Sequence, residues 1–161
     1  MQFGIGRILI LVFIIALLGM TAWMYTRFGF GATSPKVALR IHSSDTTYQF
    51  GVEVAGNTVK RAQGLSGRLY LSGNEGMIFL FGAPGNHGFW MKDMKFPIDI
   101  LWIRGERIVG WEEEAQPARG LEELVIYYPP EPVDKVLEIN AGLIRKYGLK
   151  IGDTITFAEN N

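Results

Sequence analysis

Lys92, Asp93 and Lys95 follow Trp90 almost directly, and Asp99 lies a few residues beyond them. An amine and a carboxylate held beside an aromatic ring suit a pocket for a small polar or glycan ligand. In such pockets apolar walls supply contact area and a few directed polar groups fix orientation. Arg68, Glu53, Glu138, Asn140 and Asp153 are further polar side chains set in mostly apolar surroundings. A glycoside hydrolase would need two acids about 5–10 Å apart across a cleft, and Asp99 with Glu138 or Glu53 is the pair on offer. The candidate ligand-binding residues are therefore Trp90, Lys92, Asp93, Asp99, Arg68 and Glu138. Each also has a plain structural reading. Trp90 and Trp102 suit core or hairpin packing. Lys92 and Asp99 suit an internal ion pair or turn-fixing hydrogen bonds. Glu138, inside an apolar strand, suits pairing with a buried Arg68, and Asn140 and Asp153 suit cap and turn positions.

Other chemistries find no support. The chain has 161 residues and no cysteine, which removes disulfides, thiolate catalysis and Cys-ligated metals together. His42 and His87 stand far apart without metal-ligand spacing, so no metal site and no cofactor are expected. Gly64-Leu65-Ser66-Gly67-Arg68 has the wrong spacing for a nucleophile elbow and no strand leading directly into it. It also lacks the Gly-Lys-Ser/Thr ending of a phosphate loop. The formal net charge is +0, and setting aside Arg7 and Arg27 leaves a slight acidic excess. Nucleic acid is not an expected partner, because a basic patch should lead there.

The residues that must position these groups begin after an apolar N-terminus. Ile8 to Tyr25 contains no charge, and its eighteen residues would span roughly 27 Å as a helix, close to the thickness of a bilayer core. Arg7 and Arg27 bracket the run, and Trp23 and Tyr25 fall where an interfacial belt would lie. A cleaved signal peptide would have a shorter apolar region and a better small-x-small site than Gly29-Phe30-Gly31-Ala32. The expected organisation is a tail over 1–7, a transmembrane anchor over 8–27, a linker over 28–35 and a β-rich domain over 36–161. A short N-terminal tail left inside would place that domain on the extracytoplasmic side.

Period-2 alternation marks strands over Lys36 to His42 and Tyr48 to Val54, an antiparallel pair. Asn57 or Thr58 caps a short helix that ends at Gly64. Gly76 to Phe81 is continuously apolar and reads as a strand buried on both faces. Gly88 to Ile103 reads as two strands about a tight turn, a central hairpin, with Ile98, Ile100 and Trp102 on one face and Asp99, Leu101 and Ile103 on the other. Arg107 to Trp111 pairs back on it. Glu112-Glu113-Glu114 reads as a solvated strand end. Further strands fall at Leu124 to Tyr128, Val133 to Ile139 and Thr154 to Phe157, with a helix from Ala141 to Tyr147 capped by Asn140. The expected fold class is mainly β (α+β): a small, curled or barrel-like, mostly antiparallel sheet with two short helices, preceded by one transmembrane helix. Strand and helix do not alternate as a doubly wound nucleotide fold requires.

From about Gln49 to Phe157 the chain resembles the domain-of-unknown-function family 192. The likeness runs through Val52-Glu53-Val54-Ala55, Arg61-Ala62-Gln63-Gly64-Leu65, Gly76-Met77-Ile78-Phe79-Leu80-Phe81, Phe89-Trp90-Met91-Lys92, Pro97-Ile98-Asp99-Ile100, Val136-Leu137-Glu138-Ile139-Asn140-Ala141-Gly142 and Gly152-Asp153. The resemblance implies a small β-rich domain, often behind a signal or anchor segment, and no assigned substrate. Asp93 stands where the family pattern has an amide, and Ser66-Gly67 where Met and an aromatic are common.

Three functions fit these observations. The first is a membrane-anchored, extracytoplasmic module that binds a small envelope ligand or a protein partner, since no catalytic constellation is specific enough to name an enzyme. The second is a hydrolase or lyase on cell-envelope carbohydrate, with Asp99 and Glu138 as acid and base. The third is an accessory subunit of another membrane protein, which calls for an exposed apolar patch.

Overall fold

The computed structural model describes residue 10 and residues 13–21, 35–44, 46–118 and 124–158. Two compact units divide the chain, Met1–Ser34 and Pro35–Asn161. In the first, helix α1 (described at residue 10 and over residues 13–21) exposes Phe13, Leu17 and Leu18. The expected tail over 1–7 lies outside the described residues, as do much of the expected anchor over 8–27 and nearly all of the linker over 28–35. Among the described residues no helix is long and apolar enough to cross a membrane.

The second unit runs β1 (Lys36–Ser43), β2 (Thr46–Ala55), α2 (Thr58–Gln63), β3 (Glu75–Gly85), β4 (Phe89–Trp90), β5 (Ile98–Arg104), β6 (Arg107–Ala115), β7 (Ile126–Tyr127), β8 (Val133–Asn140), α3 (Leu143–Tyr147) and β9 (Thr154–Phe157). Seven strands close a barrel in the order β1-β2-β3-β8-β5-β6-β9. All neighbours are antiparallel except β2 and β3, which run parallel. A parallel neighbour needs a crossover, and α2 with the loop after it supplies one. Asn57 caps α2 by accepting the Lys60 amide at 2.9 Å.

The expected central hairpin does not form. β4 does not pair with β5; it pairs with β7 in a separate two-stranded sheet, Phe89 opposite Tyr127 and Trp90 opposite Ile126. β5 pairs instead with β6 and β8. The physical reason lies in Met91 and Met94, both buried. They pull residues 91–97 down onto the barrel as a packed connection, so the chain crosses from one sheet to the other.

Two apolar clusters result. Leu39, Ile41, Phe50, Ile78, Leu101, Leu137 and Ile155 fill the barrel, with Leu143 and Ile144 of α3 packed against them. On the outer face, Met77, Phe79, Ile100, Trp102 and Val136 pack beneath Leu65, Leu71, Met91 and Met94. β5 thus contributes Leu101 and Ile103 to one cluster and Ile98, Ile100 and Trp102 to the other, the split its alternation predicts.

Asp99 belongs to the barrel side and is fully buried. Its Oδ1 accepts the amides of Glu114 at 2.9 Å and Gly142 at 3.0 Å, and its Oδ2 accepts that of Ile144 at 2.9 Å. A carboxylate on β5 therefore caps α3, in place of the expected Asn140. Gly142 is the N-cap residue and offers no side chain, while Asn140 donates to the Gly73 carbonyl at 2.8 Å. Asp99→Ala leaves three amides without their acceptor, that of Ile144 in a fully buried bond, and a cost of about 3–5 kcal/mol is expected. Urea denaturation measures it; a loss under about 1 kcal/mol would mean that the three bonds hold little.

Candidate functional site

Strand register lines up Glu53, Met77, Glu138 and Ile100 across β2, β3, β8 and β5. Met77 and Ile100 are in the outer cluster, so the two glutamates of this row lie under the covering layer, and both are buried. Their fates differ. Arg68, from the loop after α2, donates from both terminal nitrogens to the two oxygens of Glu53, at 2.5 and 2.8 Å. Hydrogen bonding to Glu53 raises the Arg68 pKa. Glu138 receives only the field of Arg68. The burial of its carboxyl outweighs that field and lifts its pKa to about 8. The expected Arg68–Glu138 pair is therefore an Arg68–Glu53 pair.

Glu138 also lines a cavity of about 320 Å³ on the outside of the barrel. Phe79, Phe81, Phe89 and Trp90 form aromatic walls, and polar groups come from Arg61, Ser66 and His87. His87 stacks on Phe81, with ring centres 3.6 Å apart and planes 9° from parallel. Gly85 makes this possible, because a Cβ there would stand 2.9 Å from the imidazole. Arg61 lies 5.3 Å from the Phe81 ring centre and is tied down by the carbonyls of Gly56 and Leu80 at 3.1 and 3.0 Å. Among the described residues, the buried side-chain nitrogen and oxygen atoms with no hydrogen-bond partner are His87 Nε2 and Glu138 Oε2. The two residues that carry them both line this cavity.

Of the six candidate residues, the structure brings Trp90 and Glu138 to the cavity, with Arg68 close enough to act on Glu138 through its charge. Trp90 is 49% exposed and sits at the open side, so it is no core residue; Trp102 is. Lys92 and Asp93 are exposed and point away from the packed connection. Their contribution is backbone: the Lys92 carbonyl accepts Ser66 Oγ at 2.9 Å and the Asp93 carbonyl accepts the Gly67 amide at 3.0 Å. Asp93 takes a left-handed conformation, φ 58°, a place an amide or carboxylate side chain tolerates. Asp99 is corrected outright. It pairs with Ile139 in register and lies among the barrel residues, whereas Glu138 faces outward opposite Ile100. The proposed acid–base pair is split across the sheet. Asp153 is a turn residue as expected, accepting the Lys150 amide at 2.8 Å.

His87, Phe81, Phe89 and Arg61 are the site residues that sequence reasoning missed. The available signal was the pair of glycines, Gly85 and Gly88, around a histidine next to Phe89-Trp90.

A family model described as Uncharacterized ACR, DUF192, matches residues 39–157. The chain belongs to the DUF192 family. Two solved structures share the fold of this DUF192 domain, each with a TM-score of 0.72. One is a protein of unknown function from Novosphingobium aromaticivorans DSM 12444, 29% identical, with 79% of this chain and 89% of that chain covered. The other, from Sinorhizobium meliloti 1021, is called a "putative transcription regulator"; it is 32% identical, with 79% of this chain and 98% of that chain covered. No curated protein matches.

Glu138 makes the DUF192 domain's stability depend on pH. Below about 4.5 the carboxyl is protonated in both folded and unfolded chains. Between about 4.5 and about 8 only the folded chain keeps its proton, so stability falls as pH rises through that window and then levels off. Each pKa unit is worth about 1.4 kcal/mol, so Glu138→Gln is expected to gain about 2–3 kcal/mol at pH 7 and almost nothing at pH 4. Chemical denaturation at both pH values checks this; an equal change at both would place the effect elsewhere.

Proposed function

We propose that this DUF192 chain is a ligand-binding module, held on a membrane and facing the extracytoplasmic side, with the aromatic-walled cavity as its site. One observation supports the reading above the rest: the two residues that carry partnerless buried polar atoms, Glu138 (Oε2) and His87 (Nε2), both line the same cavity. Buried polar groups cost free energy unless something satisfies them. A ligand entering beside Phe81, Phe89 and Trp90 meets that need while covering apolar surface. The membrane part of the reading rests on the uncharged run Ile8 to Tyr25 between Arg7 and Arg27.

A carbohydrate hydrolase or lyase is less well supported, because Asp99 and Glu138 lie on opposite faces. A nucleic-acid partner fits poorly with a formal charge of +0. A second reading, docking to another membrane protein, has the exposed Trp90, Val125, Ile126 and Tyr128 in its favour. Trp90 and Ile126 are cross-strand neighbours, and such a patch is a common interaction surface.

Two measurements test the proposal. Alkaline phosphatase fused after Asn161 should be active, since it matures only outside the cytoplasm; an inactive fusion of normal abundance would reverse the topology. Melting of the full chain in detergent micelles should rise with at least one member of a panel of single-ring compounds. Saturation at about a hundred times Kd stabilises by roughly 2.7 kcal/mol, or at least a few degrees. The shift should disappear in Trp90→Ala. A hit that survives Trp90→Ala binds elsewhere, and a flat panel favours the docking reading.

A further inference from the structure

The two-stranded sheet of β4 and β7 is apolar on both faces. Phe89 and Tyr127 face inward and pack against the outer cluster. Phe89 meets Phe79 and Trp102 edge-on, with ring centres 4.8 and 5.7 Å away. By the period of two, Gly88, Trp90, Ile126 and Tyr128 face the other way. A Cβ on Gly88 would stand 2.8 Å from the side chains of both Ile126 and Tyr128, so these two fold over the glycine. Trp90, Ile126 and Tyr128, with Val125 beside them, are 43–55% exposed. This outward face carries no charged side chain. A sheet that packs on one side only would place polar residues on the other, so the face calls for a cover.

Size and tether decide between covers. β4 and β7 are two residues each, whereas a stable protein interface takes roughly 20–30 residues a side. The patch is too small to hold a second copy or another protein by itself. A bilayer asks for no shape complementarity, and Trp and Tyr favour its interface, where the ring meets acyl chains and the polar tip meets headgroups. A few such side chains hold a free protein only weakly. This chain has a tether: ten residues, 26–35, separate the uncharged run ending at Tyr25 from β1. A segment that long reaches at most about 40 Å. Once the run is in a bilayer, the tether keeps the effective concentration of lipid surface in the millimolar range of short linkers, where weak affinity suffices.

Resting on the membrane-anchored reading, we propose that the outward face of the β4–β7 sheet docks on the lipid bilayer, with Trp90 and Tyr128 at headgroup level and Val125 and Ile126 toward the acyl chains. An uncharged face needs no anionic lipid, so a zwitterionic phosphatidylcholine surface is enough and the docking is insensitive to salt.

Tryptophan fluorescence tests this on the full chain in phosphatidylcholine vesicles, with and without bromine on the upper acyl chain. Trp23→Phe removes the signal of the apolar run, and subtracting a Trp23→Phe, Trp90→Phe chain, which keeps Trp102 and Trp111, isolates Trp90. Interfacial side chains lie about 5–10 Å into the headgroup–acyl boundary, so brominated lipid should cut the Trp90 emission at least about twofold. The loss should persist at high salt, and aqueous acrylamide should act weakly. Tyr128→Glu puts a charge on the face and should restore the emission; the lipid comparison itself needs no change to Tyr128. Quenching of Trp90 by acrylamide and not by lipid, in a chain that resists alkaline carbonate, overturns the docking and leaves the anchor standing. Shielding from both quenchers also overturns it, and assigns the cover to a second copy where the shielding fades as the chain is diluted in lipid. A chain that carbonate strips from the vesicles overturns the anchor and the docking with it.

Discussion

Strands β8 and β5 and the first half of β3 are buried on both sides, by the barrel interior on one and by the covering loops on the other. Their backbone amides and carbonyls have only the strand ladder to satisfy them, so every outward side chain must be apolar or find a partner within the covering layer. Packing is close here. A Cβ on Gly76 would lie 2.6 Å from the Glu138 carbonyl oxygen, so β3 and β8 meet where only a glycine fits. The long excursions of the chain exist to cover this outer face, and their arrangement follows from it. The crossover through α2 brings Leu65 and Leu71 down on one side, and the connection through Met91 and Met94 closes the other.

Two glutamates occupy that covered face and show the two available solutions. Glu53 is held by a bidentate guanidinium, the geometry in which a planar fork matches a carboxylate. Glu138 instead keeps its proton and borders a cavity. One row of a sheet thus contains a fixed charge and a neutral acid. That separation of like groups by environment is a recurrent feature of sites that handle ligands. The stacking of His87 on Phe81 over Gly85 has the same character, since it positions a polar ring atom by removing a side chain beneath it.

Much of the barrel was legible because its strands obey a period of two. The split of β5 between clusters, the β1–β2 hairpin, the both-face burial around Gly76 to Phe79 and the closing glycine of α3 all followed from local pattern. The failures were non-local. Nothing in Gly88 to Ile103 says that β4 will leave its sequence neighbour for β7, some 36 residues on by number, because short strands choose partners by tertiary packing. The site was half legible. Trp90 and Glu138 stood out as an aromatic beside charges and an acid in an apolar run, yet which carboxylate Arg68 would take depends on register across β3, which no single segment carries. Asp99 misled for a related reason: an acid in a strand looks catalytic until the helix it caps, some 45 residues away by number, is in view.

Barrel closure joins β1 to β9, with Leu39 opposite Phe157. The first strand of the domain to be synthesised therefore waits for the last. Until β9 is available, β1 has one open edge and the barrel interior has a missing stave, although the outer cluster is complete by Val136. Such long-range closure is slow, because loop entropy must be overcome before the contacts reward it, and open strand edges invite pairing with other chains. A nascent chain of this design leaves its barrel unclosed until β9 has been made. If the domain does cross a membrane, it can be threaded through while still unfolded, and the final pairing of β9 with β1 then locks it on the far side.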